Sequence, residues 1–166
     1  MIFCHKNEKE ITLGADSAQE NWGSRAKVSY RVSVKPITSA LAEDLKILYK
    51  DAGWWEPSYD RNPGFLNHIV KDSAVFAGAF YKKKLIGMGR AISDLVSDAY
   101  IQDVTVLKEY RGKGIGKIII KTLVEELKKK GVDWIGLVAE PGASAFYKEL
   151  GFDELKDHIP MKYKDL

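Results

Sequence analysis

The 166-residue chain is poor in several features that mark large classes of protein. Cysteine is nearly absent. Cys4 stands alone, so no internal disulfide can form, and with three histidines in all there is no Cys/His cluster at metal-ligand spacing. A reducing, cytoplasmic setting is the expectation, with no metal. Charge of one sign is missing too: 26 Lys and Arg stand against 23 Asp and Glu, a mixed surface that does not suggest nucleic acid as a partner. No apolar run approaches the length that crosses a bilayer, and the opening MIFCHKNEKE lacks the apolar core of a signal peptide, so a membrane is not an expected partner either. Repeats, low-complexity tracts and internal linkers are lacking. What remains is an ordinary globular composition, 45% hydrophobic and 30% charged, in a chain long enough for one sizeable core.

Residues 1–27 are polar and punctuated by Gly, Ser and Asn, and read as an N-terminal extension carrying one added strand or hairpin, with the domain proper at 28–166. Alternation at Val28, Tyr30, Val32 and Val34 predicts a half-buried strand ended by Pro36. A helix follows, with Thr38 or Ser39 as N-cap, Leu41, Leu45 and Leu48 on one side and Gly53 as its stop. PGFLNHIVKD predicts a second helix. AVFAGAFYK and LIGMGRAISDLV predict a hairpin turning at Lys82 to Lys84, and AYIQDVTVL a third strand, together an antiparallel meander. IGKIIIKTLVEELKKKG repeats apolar residues at helical spacing, with Glu125–Lys129 and Glu126–Lys130 pairs outside. The almost wholly apolar DWIGLVAE predicts a central strand, ASAFYKELGF a short helix stopped by Gly151, and DELKDHIPMKYKDL one or two final strands. The order predicts an α/β (α+β) fold, a mixed, mostly antiparallel central sheet with helices on both faces.

Between a strand and the most regular helix lies YRGKGIG, residues 110–116. A strand passing through such a turn into a helix delivers unpaired backbone N–H groups and the positive end of the helix dipole to one point, which suits phosphate. Glycine lets the anion approach the amides, and Arg111 and Lys113 add charge. The nucleoside-triphosphate loop fails, because Gly116-Lys117 is followed by Ile118 where a magnesium-binding hydroxyl is required. The dinucleotide fingerprint fits poorly, its third glycine coming one residue early.

Arg111-Gly112-Lys113-Gly114-Ile115-Gly116 does match R/Q-x-x-G-x-G/A at every fixed position, and Ala143, Tyr147, Gly151 and Phe152 form Ala-x-x-x-Tyr-x-x-x-Gly-Phe further on. With these two motifs in this order, the chain from about residue 30 resembles the GNAT superfamily of N-acetyltransferases. The resemblance implies acetyl-CoA as co-substrate, its pyrophosphate held by the loop Arg111, Gly112, Lys113, Gly114, Ile115, Gly116 and Lys117, and its pantetheine arm along the strand edge at Val104, Thr105 and Val106. It implies a V-shaped cleft where that strand parts from the next, and a backbone N–H there for the thioester oxygen. Tyr147 occupies the position of the family's proton donor. Asp103 and Glu140 are alternative bases, and a bulge common in the family at the strand holding Asp103 would change its facing. Glu140 replaces a frequent asparagine, as a substitute cofactor ligand or as a charge facing the acceptor. Trp54 and Trp55 fall in a loop that borders the acceptor pocket in the family, where they serve as an aromatic wall for an amine or as core anchors. The implied reaction is direct transfer to the amine of a small molecule in a ternary complex. Cys4 gives no sign of a cysteine relay. A protein lysine or N-terminus as acceptor, and a non-catalytic acyl-CoA sensor, are the alternatives, and a homodimer is in keeping with the family.

Overall fold

The computed structural model describes residues 8–14 and 29–164. Cys4, Val28 and most of the N-terminal extension lie outside the described residues. The elements in chain order are β1 (Lys9–Gly14), β2 (Ser29–Pro36), α1 (Ala42–Ala52), a 3-10 turn at Pro57–Arg61, α2 (Phe65–Lys71), β3 (Val75–Tyr81), β4 (Lys84–Ile92), β5 (Asp98–Val106), α3 (Ile115–Lys129), β6 (Trp134–Leu137) and α4 (Ser144–Lys148). The six strands form one sheet in chain order, antiparallel from β1 to β5 and parallel between β5 and β6. This is the mixed, mostly antiparallel sheet expected. The added strand of the extension is β1, which pairs with β2.

The core follows from periodicity. On α3, Ile115, Ile119, Ile120, Leu123 and Leu127 form one buried stripe against β2 to β5. Gly89 lets this helix approach closely, since a Cβ there would stand 2.8 Å from Ile119 and 3.1 Å from Leu123. On the other face α1 buries Leu45, Leu48 and Tyr49 over β4 and β5, with α2 beside it. The hairpin turns at Lys82 and Lys83, whose φ values of 47° and 69° give the turn that matches strand twist.

Several expectations are corrected. Helix α1 starts at Ala42, later than Thr38 or Ser39 allows, and its N-cap Leu41 makes no side-chain cap bond. Ile37 N–H instead donates to Phe76 O at 2.8 Å, tying this stretch to the sheet. The strand drawn as central, β6, is the sheet edge, and its four residues are only half-buried. Its apolar character serves packing with Tyr100, whose ring lies 5.2 Å from that of Trp134. No strand forms between Phe152 and Lys164: Pro160 has no N–H for a ladder, Asp157 takes φ 60°, and Leu155, Ile159, Met161 and Tyr163 are exposed. Glu125 pairs with Lys9 of β1 at 2.6 Å, and Lys129 pairs with Glu126 one turn back at 2.8 Å, in place of the helix pairs expected.

Candidate active site

Strand β5 carries a break in pairing that creates the site. Its first half pairs with β6 only as far as Ile101↔Leu137, so from Gln102 onward the edge that faced β6 is open. On the other side, the β4 register jumps from Arg90↔Gln102 to Met88↔Thr105, which leaves Asp103 and Val104 opposite Gly89 as a bulge. The bulge expected at this strand is present, and Asp103 takes φ 52° within it. Opening of β5 from β6 produces a cleft of about 760 Å³. Val104, Thr105, Val106, Arg111, Gly112, Gly114, Ile115, Gly116, Lys117, Glu140, Tyr147 and Trp54 all line it.

At the floor of the cleft the chain enters α3 through the glycine turn. Gly112 and Gly114 have φ of 71° and 78°, and a Cβ built on either would meet nothing within 4 Å. The turn is therefore a hollow in front of the first N–H groups of α3, and among the described residues no side chain caps them. An anion with several oxygens fits there, stabilised by those amides and by the helix dipole. The cations are arranged otherwise than their sequence positions suggest. Arg111 turns back: its Nε donates to Val106 O at 2.7 Å and its Nη2 to Asp51 Oδ2 at 2.8 Å. Asp51 also accepts from the Lys108 N–H at 3.2 Å, so this carboxylate of α1 braces both ends of the segment before the glycines. Lys117 is paired with Glu149. The hollow is thus lined by backbone, with Arg111 acting as a strut to Val106 and Asp51.

Two titratable groups whose roles the sequence suggests, Tyr147 and Glu140, also line the cleft. Tyr147 is half-buried, its ring edge-on to Phe146 at 5.0 Å and Phe152 at 6.0 Å. Burial first, and then the negative charge of Glu140, push its phenol above the ordinary tyrosine value, so it keeps its proton. Glu140 is exposed at the mouth. Asp103 does not line the cleft: its carboxylate turns toward α1, where Oδ2 accepts from Tyr49 Oη at 2.7 Å and from Arg90 Nε at 2.5 Å. The two tryptophans separate as well. Trp54 lines the cleft and meets Tyr49 edge-on at 5.7 Å, whereas Trp55 packs between Tyr59 and Phe65 with the Lys46 ammonium 5.0 Å from its ring. Lys113 sits in the turn without lining the cleft.

Sequence reasoning missed Asp51, Arg90 and Tyr49, which line no glycine motif yet hold the site's walls. Asp51 left one signal, an acid in the last turn of a helix where the dipole disfavours it. Arg90 left another, a lone cation in the apolar run LIGMGRAI. Among the described residues no group of three or more His, Cys, Asp or Glu could hold a metal ion, and no helix is long and apolar enough to cross a membrane.

An uncapped glycine hollow at a helix start, an open strand edge and a half-buried tyrosine that keeps its proton thus share one cleft. Comparison with known proteins gives the family. Residues 37–152 match the acetyltransferase (GNAT) family, and the chain belongs to it. An uncharacterized N-acetyltransferase, ycf52, of Pyropia yezoensis is 38% identical over 94 residues, 54% of this chain and 54% of that protein. The chain thus spans about half the length of this relative. A GNAT-family acetyltransferase from Streptococcus pneumoniae superposes with a TM-score of 0.69 at 25% identity, over 81% of this chain and 98% of that one. The structure of AAC(6')-Iy in complex with the bisubstrate analogue CoA-S-monomethyl-acetylneamine has a TM-score of 0.65 at 17% identity, over 81% and 99% of the two chains, a likeness of fold.

Proposed function

We propose that the protein transfers the acetyl group of acetyl-CoA to the primary amine of a small molecule, by direct attack within a ternary complex. The observation that carries this reading is the meeting, in one cleft, of the glycine hollow at residues 112–116, the open β5 edge at Val104 to Val106 and the protonated Tyr147. The hollow would hold the pyrophosphate, and the open edge would hydrogen-bond the amide-bearing arm as an added strand does.

In this reading the backbone N–H of Val104 stabilises the negative charge that grows on the carbonyl oxygen as the amine nitrogen bonds to the acyl carbon. Tyr147 gives its proton to the departing thiolate sulfur. Glu140, at the mouth, takes the proton the amine must lose, directly or through water. Trp54 lines the same cleft and supplies an apolar face there, a combination with the Glu140 carboxylate that suits a cationic amine with a hydrocarbon body. Most of the rate would come from holding two reactants in line.

The test is release of free CoA thiol from acetyl-CoA with a panel of aryl and alkyl amines, polyamines, amino acids, aminoglycosides and lysine peptides. A small amine that accelerates release and appears acetylated supports the proposal. Acetylation of peptides alone would replace it with a protein acetyltransferase, and acetyl-CoA binding without turnover on any acceptor would replace it with a sensor.

A further inference from the structure

The cluster of Tyr49, Arg90 and Asp103 adjoins the cleft without lining it, and is assembled around a single carboxylate oxygen. Three elements meet there: Tyr49 comes from α1, Arg90 from β4 and Asp103 from the bulge of β5. All three side chains are largely withdrawn from solvent, Tyr49 at 7% residue exposure, Arg90 and Asp103 at 19% and 23% of their side chains. Arg90 reaches further, its Nη2 donating to Gln102 Oε1 at 3.3 Å, so it grips the residue before the bulge as well as the bulge residue itself.

An aspartate at φ 52° stands in the left-handed region, which costs an L residue free energy unless its surroundings hold it there. The consequence of this bend falls on the next residue. Asp103 and Val104 have left the ladder with β4 and are beyond the last pair with β6, and Val104 lines the cleft. The direction of its N–H follows from the bend at Asp103, the residue whose Oδ2 the two donors hold. A general base would need its carboxylate in the cleft, and here it points the other way.

We propose that Tyr49 and Arg90 are positioning residues, which by gripping Oδ2 of Asp103 hold the bulge that aims the Val104 N–H at the acyl oxygen. The proposal rests on the acetyl-transfer reading and assigns Asp103 a role exerted through the backbone. Tyr49 also stacks edge-on against Trp54, so the same clamp fixes the aromatic wall relative to the reacting edge.

Glycine adopts φ near 52° freely and asparagine tolerates it, whereas alanine and valine do not. The test is a substitution series at Asp103, to Gly, Asn, Ala and Val, crossed with Tyr49→Phe, with kcat and KM for acetyl-CoA measured separately and folding followed by near-ultraviolet circular dichroism. Tyr49→Phe is expected to lower kcat roughly tenfold with KM for acetyl-CoA within about twofold, since the phosphate hollow is untouched. Activity should fall in the order Gly, Asn, Ala, Val, and Tyr49→Phe should cost less in the Asp103→Gly background than in the native one. A Gly variant as inactive as the Val variant, or an equal Tyr49→Phe loss in both backgrounds, overturns the proposal. A second readout needs no turnover: the backbone amide resonance of Val104 should shift on adding acetyl-CoA in the native protein and in Asp103→Gly, and should lose that shift in Tyr49→Phe. Retention of the shift in Tyr49→Phe also overturns it. Native protein that shifts at Val104 but acetylates no amine defeats the functional reading alone, and native protein that binds no acetyl-CoA defeats both.

Discussion

Replacing Gly114 by alanine separates two jobs that glycine performs in the turn. The residue stands at φ 78°, immediately before the first residue of α3, and an added methyl would meet no protein atom within 4 Å. The cost to the folded protein is therefore conformational alone, about 1–2 kcal/mol for an L residue in the left-handed region. For a chain of this size that lowers Tm by roughly 2–8 °C. Binding should suffer more, because the space the methyl enters is the space proposed for the pyrophosphate. Loss of one charge-assisted amide contact, worth about 1.5–3 kcal/mol, raises the Kd for CoA roughly 10- to 150-fold. Gly131 is the matched control. It follows the C-terminus of α3 at φ 92°, again with nothing within 4 Å of a Cβ, and lines no part of the cleft. Gly131→Ala should show the same loss of stability with unchanged CoA affinity. Calorimetric titration with CoA, paired with thermal melts, reads both quantities. Equal changes in Kd for the two variants, or unchanged CoA binding in Gly114→Ala, would refute the reasoning that places the phosphate in front of the turn.

Three further outcomes follow from the same geometry. Tyr147→Phe should lower kcat well beyond any change in KM for acetyl-CoA, and because burial and then Glu140 hold the phenol's proton, the native rate should show no loss attributable to tyrosine ionisation up to the ordinary value of 10.0; equal rates for the two proteins across pH would remove its role. Tyr49, raised first by burial and then by its bond to Asp103, stays protonated where the unfolded chain has begun to ionise above 10.0, so the folded state binds more protons there and stability falls as pH rises; Tyr49→Phe should flatten that slope in urea melts, and an unchanged slope would show that the phenol is not its source. Asp51→Ala removes the acceptor of both Arg111 and the Lys108 amide. With Arg111 46% exposed and Asp51 21%, the stability loss should be about 1 kcal/mol, while CoA affinity drops because the entrance to the glycine turn loses its brace; affinity equal to native would show that the turn holds its shape unaided.

The parts of the fold that follow from local chemistry were legible in the sequence. The stripe on α3, the Gly53 stop of α1 and the hairpin at Lys82 each follow from residues within a turn of one another. Long-range effects were not. DWIGLVAE reads as a buried strand because its side chains are apolar, yet whether it is central depends on what lies beyond it, and among the described residues β6 has no neighbour on its outer side. The tail looked like strand because it carries Ile159, Met161 and Tyr163, and Pro160 and the turn at Asp157 prevail over that alternation. In the site, the glycine spacing pointed to the hollow at the start of α3, because the motif constrains the backbone, while the open edge of β5 was implied by the resemblance to the GNAT superfamily. Side-chain direction was beyond its reach. Arg111 lines the cleft but commits its guanidinium to Asp51, and Asp103 turns away from the cleft toward Tyr49 and Arg90, partners 60, 54 and 13 residues distant in the chain. A cation or carboxylate beside a motif reads as a ligand until its tertiary partner is known.

The most direct measurement is a crystal structure with acetyl-CoA bound. The account predicts the pyrophosphate within hydrogen-bonding distance of the backbone amides of residues 112–117, the arm running along Val104 to Val106 and the acyl oxygen at the Val104 N–H. Cofactor bound elsewhere, as in the groove between β6 and the C-terminal residues, with the glycine hollow free of phosphate, would contradict it.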